Sequence, residues 1–268
     1  MSNTFDFVMT EHPAWLPTNG YHRVLALPDG GRHLVTVSGR QLVRRPLVSG
    51  VSEPTLDVFT LSNGMLSEVP ELATAVVGLG PVARFRNADL WDAIGTAIIR
   101  QVIRAGQSKK LYRAFCEAYG ERVELPSGGT YALFPSPESA LDLKSEQFAS
   151  IGMAFKRRPL LAAAGAYLER GTKWRELSPR ALIDELQIVP RIGPWTAQAA
   201  VADWSNDWAL YPYADLAVRT WATRAAPSYD WPTDEPTFGR VWRTLAGDHL
   251  SSLTLLTLAW GSQHGDIG

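Results

Sequence analysis

Between Leu186 and Ala197 the chain reads Leu-Gln-Ile-Val-Pro-Arg-Ile-Gly-Pro-Trp-Thr-Ala, and few local structures accommodate that order. Pro190, Gly193 and Pro194 interrupt any helix that reaches them, while Pro194 also suits the first position of a new one. The stretch predicts a helix ending near Gln187, a tight turn, and a second helix opening at Pro194. So short a hairpin leaves backbone N–H groups free at the start of the second helix. Together with the helix dipole they suit a phosphate. An ordinary turn between two helices fits the same residues. Sixteen residues after Trp195 begins Tyr211-Pro-Tyr-Ala-Asp-Leu-Ala-Val-Arg219, which puts Asp215 twenty residues after Trp195. There Asp215 is well placed to cap a helix running to about Ala226, and a carboxylate that accepts backbone N–H bonds is favoured in its charged form.

The rest of the chain sets the frame for this hairpin. Residues 1–75 read as β-rich, with strands expected at 21–27, 33–37, 41–45 and 56–61 and a turn at Pro28-Asp-Gly-Gly31. From about residue 88 the apolar spacing becomes helical, through Leu90, Trp91, Ile94, Ala97 and Ile98. A further helix is expected to stop at Gly120, and Ser136-Pro137 and Ser178-Pro179 each read as a serine cap before a helix-opening proline. The expected fold is mainly α with a small N-terminal β domain (an α+β chain), split as a β-rich domain over 1–78 and a helical domain over 79–268. At 268 residues and 46% hydrophobic, the chain fills a core and is not intrinsically disordered. Its one cysteine, Cys116, excludes an intramolecular disulfide, a four-cysteine zinc site and a cysteine-ligated iron–sulfur cluster. That fits a reducing cytoplasm. The first residues have no basic segment before an apolar one, and there is no apolar run of 18, so neither a signal peptide nor a membrane span is expected.

A net charge of −1 argues mildly against a nucleic-acid partner, but the distribution is uneven. Residues 81–115 carry seven Lys or Arg against two acidic residues, and residues 144–180 carry eight against three. Solvated helix faces explain either cluster alone. Phosphate binding requires both to meet on one surface.

The hairpin and the aspartate together resemble those of the helix-hairpin-helix DNA glycosylase superfamily. Pro190, Ile192, Gly193, Thr196 and Ala197 match its hairpin, and Pro212-x-x-Asp215-Leu216-x-Val218-Arg219 matches the segment holding its catalytic aspartate. Arg191 stands where a first glycine is usual, a position that normally permits positive φ or close approach to DNA; an arginine there offers a phosphate contact instead. The resemblance implies that Asp215 stabilises the oxocarbenium-like sugar as the base departs. It implies phosphate contacts by Arg191, Ile192, Gly193 and Thr196, and a monovalent cation (Na+ or K+) on the carbonyls of Gln187, Val189 and Ile192. Members that also nick DNA use a lysine directly before the Thr-Ala pair. Here that residue is Trp195, so an enzyme without lyase activity is expected, with no cofactor required.

Three further stretches bring the resemblance closest to the bacterial 3-methyladenine DNA glycosylase II family, over about residues 82–262. Ile98-Ile-Arg-Gln-Val102 resembles the loop beside the lesion. Phe134-Pro-Ser-Pro137 and Ile151-Gly-Met-Ala-Phe-Lys-Arg157 resemble paired segments of that family. It implies a pocket for a flipped, alkylated base lined by Trp195, Gln101, Ala199 and Trp260, a wedge at Val102, and DNA contacts by Lys156 and Arg157. Cationic bases need electron-rich aromatic walls more than they need protonation. The implied partner is double-stranded DNA carrying a damaged or modified base, bound by a monomer acting on bacterial nucleoid DNA in base-excision repair. Two rivals remain open: the same fold aimed at another damaged or hypermodified base, favoured by Ala199 and Arg191, and a non-catalytic helix-hairpin-helix DNA-binding protein, against which Asp215 argues.

Overall fold

In the computed structural model, which describes residues 2–62 and 64–264, short strands come first. They are β1 (Ser2–Thr4), β2 (Phe7–Val8), β3 (Leu16–Thr18), β4 (Gly20–Ala26), β5 (Arg32–Ser38), β6 (Gln41–Pro46) and β7 (Leu56–Phe59). A five-stranded antiparallel sheet has the order β1-β6-β5-β4-β3. Alternation in β5 turns His33, Val35 and Val37 inward, where Val35 and Val37 meet Trp15, Leu25 and Leu42. The turn after β4 closes with the Leu27 N–H donating to the Gly31 carbonyl at 2.9 Å.

The β-rich reading of 1–75 needs one correction. Pro70–Val77 is a helix, α1, with proline in its first turn and Leu72 and Val76 buried one turn apart. The signal was present in that i, i+4 pair, inside a region otherwise dominated by alternation. After α1 comes β8 (Val82–Phe85), buried at every position. It pairs parallel with β2 and antiparallel with β7, so this second sheet draws strands from both sides of α1.

The remainder is helical apart from a small hairpin. In chain order it runs α2 (Leu90–Arg100), α3 (Ala105–Tyr119), β9 (Arg122–Glu124), β10 (Thr130–Ala132), α4 (Pro137–Asp142), α5 (Ser145–Ser150), α6 (Arg157–Glu176), α7 (Pro179–Leu186), α8 (Pro194–Ser205), α9 (Leu216–Ala225), α10 (Glu235–Ala246) and α11 (Leu250–His264). Ser136 and Ser178 cap α4 and α7 through backbone N–H groups of Ser139 and Ala181. Helix α2 is the central element, buried from Leu90 to Ile99. Gly95 is required there, because a Cβ would meet the Phe134 ring at 2.3 Å. Among the described residues no helix is long and apolar enough to cross a membrane.

A buried polar network joins the second sheet to these helices. Arg84, from β8, pairs with Asp203 of α8 and bonds Asn206 just beyond it. Arg23, from β4, reaches Asp92 of α2 at 3.3 Å and Asn87 at 3.2 Å, and the Asn87 amide donates to Asp203 at 2.8 Å. His12 Nε2 lies 3.6 Å from Asp203 and 3.8 Å from Asp92. Burial drives His12 well below its ordinary pKa, and Asp92 is pushed up to about 7, again chiefly by burial. Burial opposes the charge of Asp203 as well, but the attraction of His12, Arg84 and Arg23 outweighs it and holds that carboxyl low.

The hairpin forms as its residues require. Val189 and Ile192 are buried anchors, the Ile192 N–H donates to the Val189 carbonyl at 3.1 Å, and Gly193 caps α8 with Pro194 next. Arg191 takes φ of +72°, so the positive backbone angle survives although the glycine does not. Left-handed geometry costs a residue with a side chain about 1–2 kcal/mol, while glycine loses about 0.5–1 kcal/mol more entropy on folding. Arg191→Gly is therefore expected to raise stability by up to about 1 kcal/mol, read as a higher urea midpoint with an unchanged slope. A lower midpoint would show that the arginine side chain makes stabilising contacts that offset its backbone strain.

Candidate active site and nucleic-acid interface

Asp215 caps α9, with Oδ1 accepting the Val218 N–H at 3.1 Å. Its other oxygen, Oδ2, accepts from the Tyr211 hydroxyl at 2.8 Å and from the Trp195 indole N–H at 3.3 Å. Two donors from outside the helix thus hold the carboxylate in one orientation. Burial, followed by the neighbouring Asp215 charge, pushes the Tyr211 hydroxyl pKa up, so it stays protonated and keeps donating. The first turn of α8 positions Trp195 and the start of α9 positions Asp215, which is why the 20-residue interval matters.

Both residues line a cavity of about 460 Å³, within the size range of small-ligand pockets. Aromatic residues Trp15, Trp208, Tyr211 and Trp221 share its walls, and Glu11, His12, Arg84, Arg100, Lys109 and Asp203 supply polar groups. Of the residues expected in a base pocket, only Trp195 is among those lining it. Trp260 is turned away, its ring stacked on His264 at 4.5 Å. In α11 the residues that reach the cavity are Leu258 and Ser262, one turn apart, and a residue midway between them lies on the opposite side. Ala199 is buried inside α8 and is too short to reach the cavity. Gln101 faces the hairpin instead, its amide donating to Thr196 Oγ1 at 2.6 Å and to the Arg191 carbonyl at 3.1 Å.

Gln101 is also where three of the singled-out segments converge. Its side chain binds the hairpin, and its carbonyl accepts from Lys156 Nζ at 2.7 Å. Lys156 is consequently buried rather than offered to phosphate, and burial lowers its pKa to about 8. Thr196 is likewise buried, with its hydroxyl engaged by Gln101, and the Ile192 side chain is in the core. Arg157, at the start of α6, is half-buried. What remains open near the hairpin is Arg191, Gly193 and the first turn of α8, which has no side-chain cap.

Val102, next in sequence to Gln101, is the outlier of this region. It is fully exposed and has φ of +59°, a conformation that β-branched residues rarely adopt. It is therefore no core residue of a helix. The basic segment 81–115 does not form one surface: Arg84 is buried, Arg86 pairs with Asp57 at 2.7 Å, and Arg113 donates to the carbonyls of Pro13 and Trp15. Sequence reasoning missed Glu11, Lys109, Trp208, Tyr211 and Trp221 as cavity residues. Tyr211 had a usable signal, lying four residues before Asp215.

No protein-family model matches the chain. Over 246 residues, 87% of its length, it is 26% identical to a Mycobacterium tuberculosis protein described as a "probable bifunctional transcriptional activator/DNA repair enzyme AlkA". The match takes in 46% of that protein, so the chain spans about half the length of the curated relatives it matches. Among solved structures it superposes on the 3-methyladenine DNA glycosylase of Archaeoglobus fulgidus with a TM-score of 0.67 and 18% identity, covering 97% of this chain and 94% of that one. It superposes on the 8-oxoguanine glycosylase/lyase of Clostridium acetobutylicum, in complex with double-stranded DNA, with a TM-score of 0.70 and 16% identity, covering 94% and 89%. The chain therefore has the fold of the helix-hairpin-helix DNA glycosylase superfamily and sequence likeness to one of its curated members.

Proposed function

We propose that this protein is a monofunctional DNA N-glycosylase of base-excision repair. It flips a damaged base from duplex DNA and cuts its glycosidic bond with water, leaving an abasic site. The observation that carries this reading is Asp215: a carboxylate oriented by Val218, Tyr211 and Trp195 at the wall of a base-sized cavity. A pure DNA-binding protein gains nothing from a fixed anion beside its phosphate-rich ligand. As the bond to the base lengthens, the sugar becomes cationic, and an anion already in place stabilises that charge without reorganisation. The uncapped first turn of α8, with Arg191 and Gly193, would hold a phosphate. Monovalent Na+ or K+ on the carbonyls of Gln187, Val189 and Ile192 would brace the turn, whose oxygens include the C-cap of α7; the Val189 carbonyl also serves the Ile192 N–H.

Val102 is assigned to the gap left by the flipped base. An apolar residue held outward on a strained loop matches the wedges that unstack base steps. In the position of the usual lyase nucleophile stands Trp195, which has no amine. Lys109 is the one lysine among the described residues that lines the cavity, so strand nicking, were it observed, would be assigned there. Removal of alkylated purines is the first reading, supported by the likeness to the 3-methyladenine DNA glycosylase, and removal of an oxidised base is the second, favoured by the likeness to the 8-oxoguanine glycosylase/lyase.

Asp215→Asn keeps an oxygen for the Val218 N–H but removes the charge and sets an amide against the indole N–H. We expect a folded protein, with stability lowered by about 1 kcal/mol and duplex affinity kept. Single-turnover base release should fall 10²–10³-fold, about 3–4 kcal/mol. A wild-type rate would end the catalytic assignment of Asp215. The wild-type product should be an intact strand that breaks only in alkali; breakage without alkali would refute the monofunctional reading.

Val102→Gly separates function from stability. Glycine relieves the left-handed strain, so the urea midpoint should rise by the equivalent of up to about 1 kcal/mol. Lesion release should nevertheless fall by at least tenfold, because the gap in the stack goes unfilled. If release were unchanged, Val102 would not be the wedge.

A further inference from the structure

We propose that Arg100 is a positioning residue: acting through the Trp195 indole and the Tyr211 hydroxyl, it holds Asp215 in the orientation from which the carboxylate meets the sugar. The proposal rests on the glycosylase reading of the same site and adds the group that organises its anion.

The place of Arg100 carries the first argument. It is the last residue of α2, a helix buried from Leu90 to Ile99. The next residue, Gln101, is bonded to the Arg191 carbonyl, to Thr196 Oγ1 and to Lys156 Nζ. The backbone that carries the guanidinium is therefore fixed on both sides, and a cation at a helix C-terminus also suits the dipole. The half-buried side chain lines the cavity together with Trp195, Tyr211 and Asp215.

Its two contacts carry the second argument. The guanidinium carbon stands 5.9 Å from the centre of the Trp195 ring, within reach of a cation–π attraction. The N–H of that same indole donates to Asp215 Oδ2 at 3.3 Å. The guanidinium also hydrogen-bonds the Tyr211 hydroxyl, which itself donates to Asp215 Oδ2 at 2.8 Å. Arginine has donors only, and a phenol has one proton. A phenol oxygen that accepts from Arg100 keeps its proton for Asp215, so the chain from Arg100 through Tyr211 to Asp215 runs in one direction. Both side-chain donors to Oδ2 thus lead back to a single residue.

The arrangement also preserves what the reaction needs. An arginine paired directly with Asp215 would offset the negative charge that stabilises the sugar cation. Acting through an indole and a phenol, Arg100 fixes the geometry and leaves that charge for the substrate. The basic segment from which Arg100 comes allows a different role, a contact to a DNA phosphate, and the two roles differ in what they change. A phosphate contact sets affinity, whereas positioning sets the rate of the bound complex.

The experiment measures single-turnover base release over a range of enzyme concentrations, from duplexes holding one 7-methylguanine or one 8-oxoguanine, on whichever wild type releases. Arg100→Met, checked by near-ultraviolet circular dichroism for a native fold, should lower the rate at saturating enzyme by about 10²-fold, the loss expected for a reacting group misplaced by about 1 Å. The enzyme concentration at half-saturation should stay as in wild type, the pattern of an interaction that matters only in the transition state. Arg100→Lys keeps the charge but not the planar fork, and should lose about tenfold at saturation; it stands in if the methionine variant does not fold. In a Tyr211→Phe protein, the loss caused by adding Arg100→Met should be about threefold smaller than in wild type or less, the sign of coupled residues. A wild-type rate at saturation in the folded Arg100→Met protein, or failing it in Arg100→Lys, overturns the proposal, as do losses that simply multiply in the double variant. A defect confined to half-saturation, with the salt dependence reduced by about one phosphate contact, also overturns it and makes Arg100 a ligand of the DNA backbone. Release of neither base by wild type overturns the glycosylase reading itself.

Discussion

Arg84 reaches out of a fully buried strand and ends on Asp203 and Asn206 at the far end of α8. Much of the molecule depends on that contact. A buried guanidinium without its partner is costly, on the order of 3–5 kcal/mol when the pair is broken, so β8 and α8 are held in one arrangement. The Asn206 amide returns a bond to the Arg84 carbonyl at 3.1 Å and another to Asp57 at 2.9 Å, which ties the loop after α8 to β7 as well. Since Trp195 opens α8 and Asp203 lies near its end, the same pairing that joins sheet to helices sets the position of the helix that presents the indole to Asp215. The N-terminal region is in this way part of the site: Glu11 and His12, on the loop between β2 and β3, line the same cavity as Trp195 and Asp215.

A second set of bonds performs the same task at the surface. The carbonyl of Gln101 takes Lys156, and its amide takes Thr196 and the Arg191 carbonyl. Three loops distant in sequence are fixed to one another, and the strained Val102 projects from their junction. Strain of this kind persists only where surrounding structure over-determines it, and here the determining bonds fall on the residue immediately before. The cost of holding a valine outward is thus met by contacts that also keep the hairpin in register with α2.

How far these features could be read from residues alone depends on the range of the interaction that made them. Caps and turns are local, so Ser136, Ser178, Asp215 and the hairpin at 187–193 fell where their neighbours demanded. Gln101, Val102, Lys156 and Arg191 were singled out, but their partners were not legible. A lysine beside an arginine at a helix start reads as a phosphate ligand until a carbonyl 55 residues away is seen to accept from it. Trp260 failed on helical register, since a shift of two residues turns a side chain to the other face. Glu11 and Lys109 left no periodic signal. They are far apart in sequence, on a loop and on α3, and only the folded chain brings them to one cavity.

Those two residues change the physical picture of the site from an aromatic slot to a polarised one. Asp215 lies at the wall where α8 and α9 meet, and Lys109 and Arg100 contribute positive charge to the same cavity. Each of these cations has a partner: Glu11 attracts Lys109, and Arg100 stands by the Trp195 ring and the Tyr211 hydroxyl, the two groups that hold Asp215. The charges therefore line the cavity as opposed sets, as Arg84 with Asp203 and Arg23 with Asp92 do. Charges removed from water are only weakly screened, so each set fixes its members in place before a substrate enters. Differential stabilisation of the transition state is what accelerates a reaction. A carboxylate already held by Val218, Tyr211 and Trp195 meets positive charge on a sugar without having to reorganise, and that is the contribution this wall of the cavity can make.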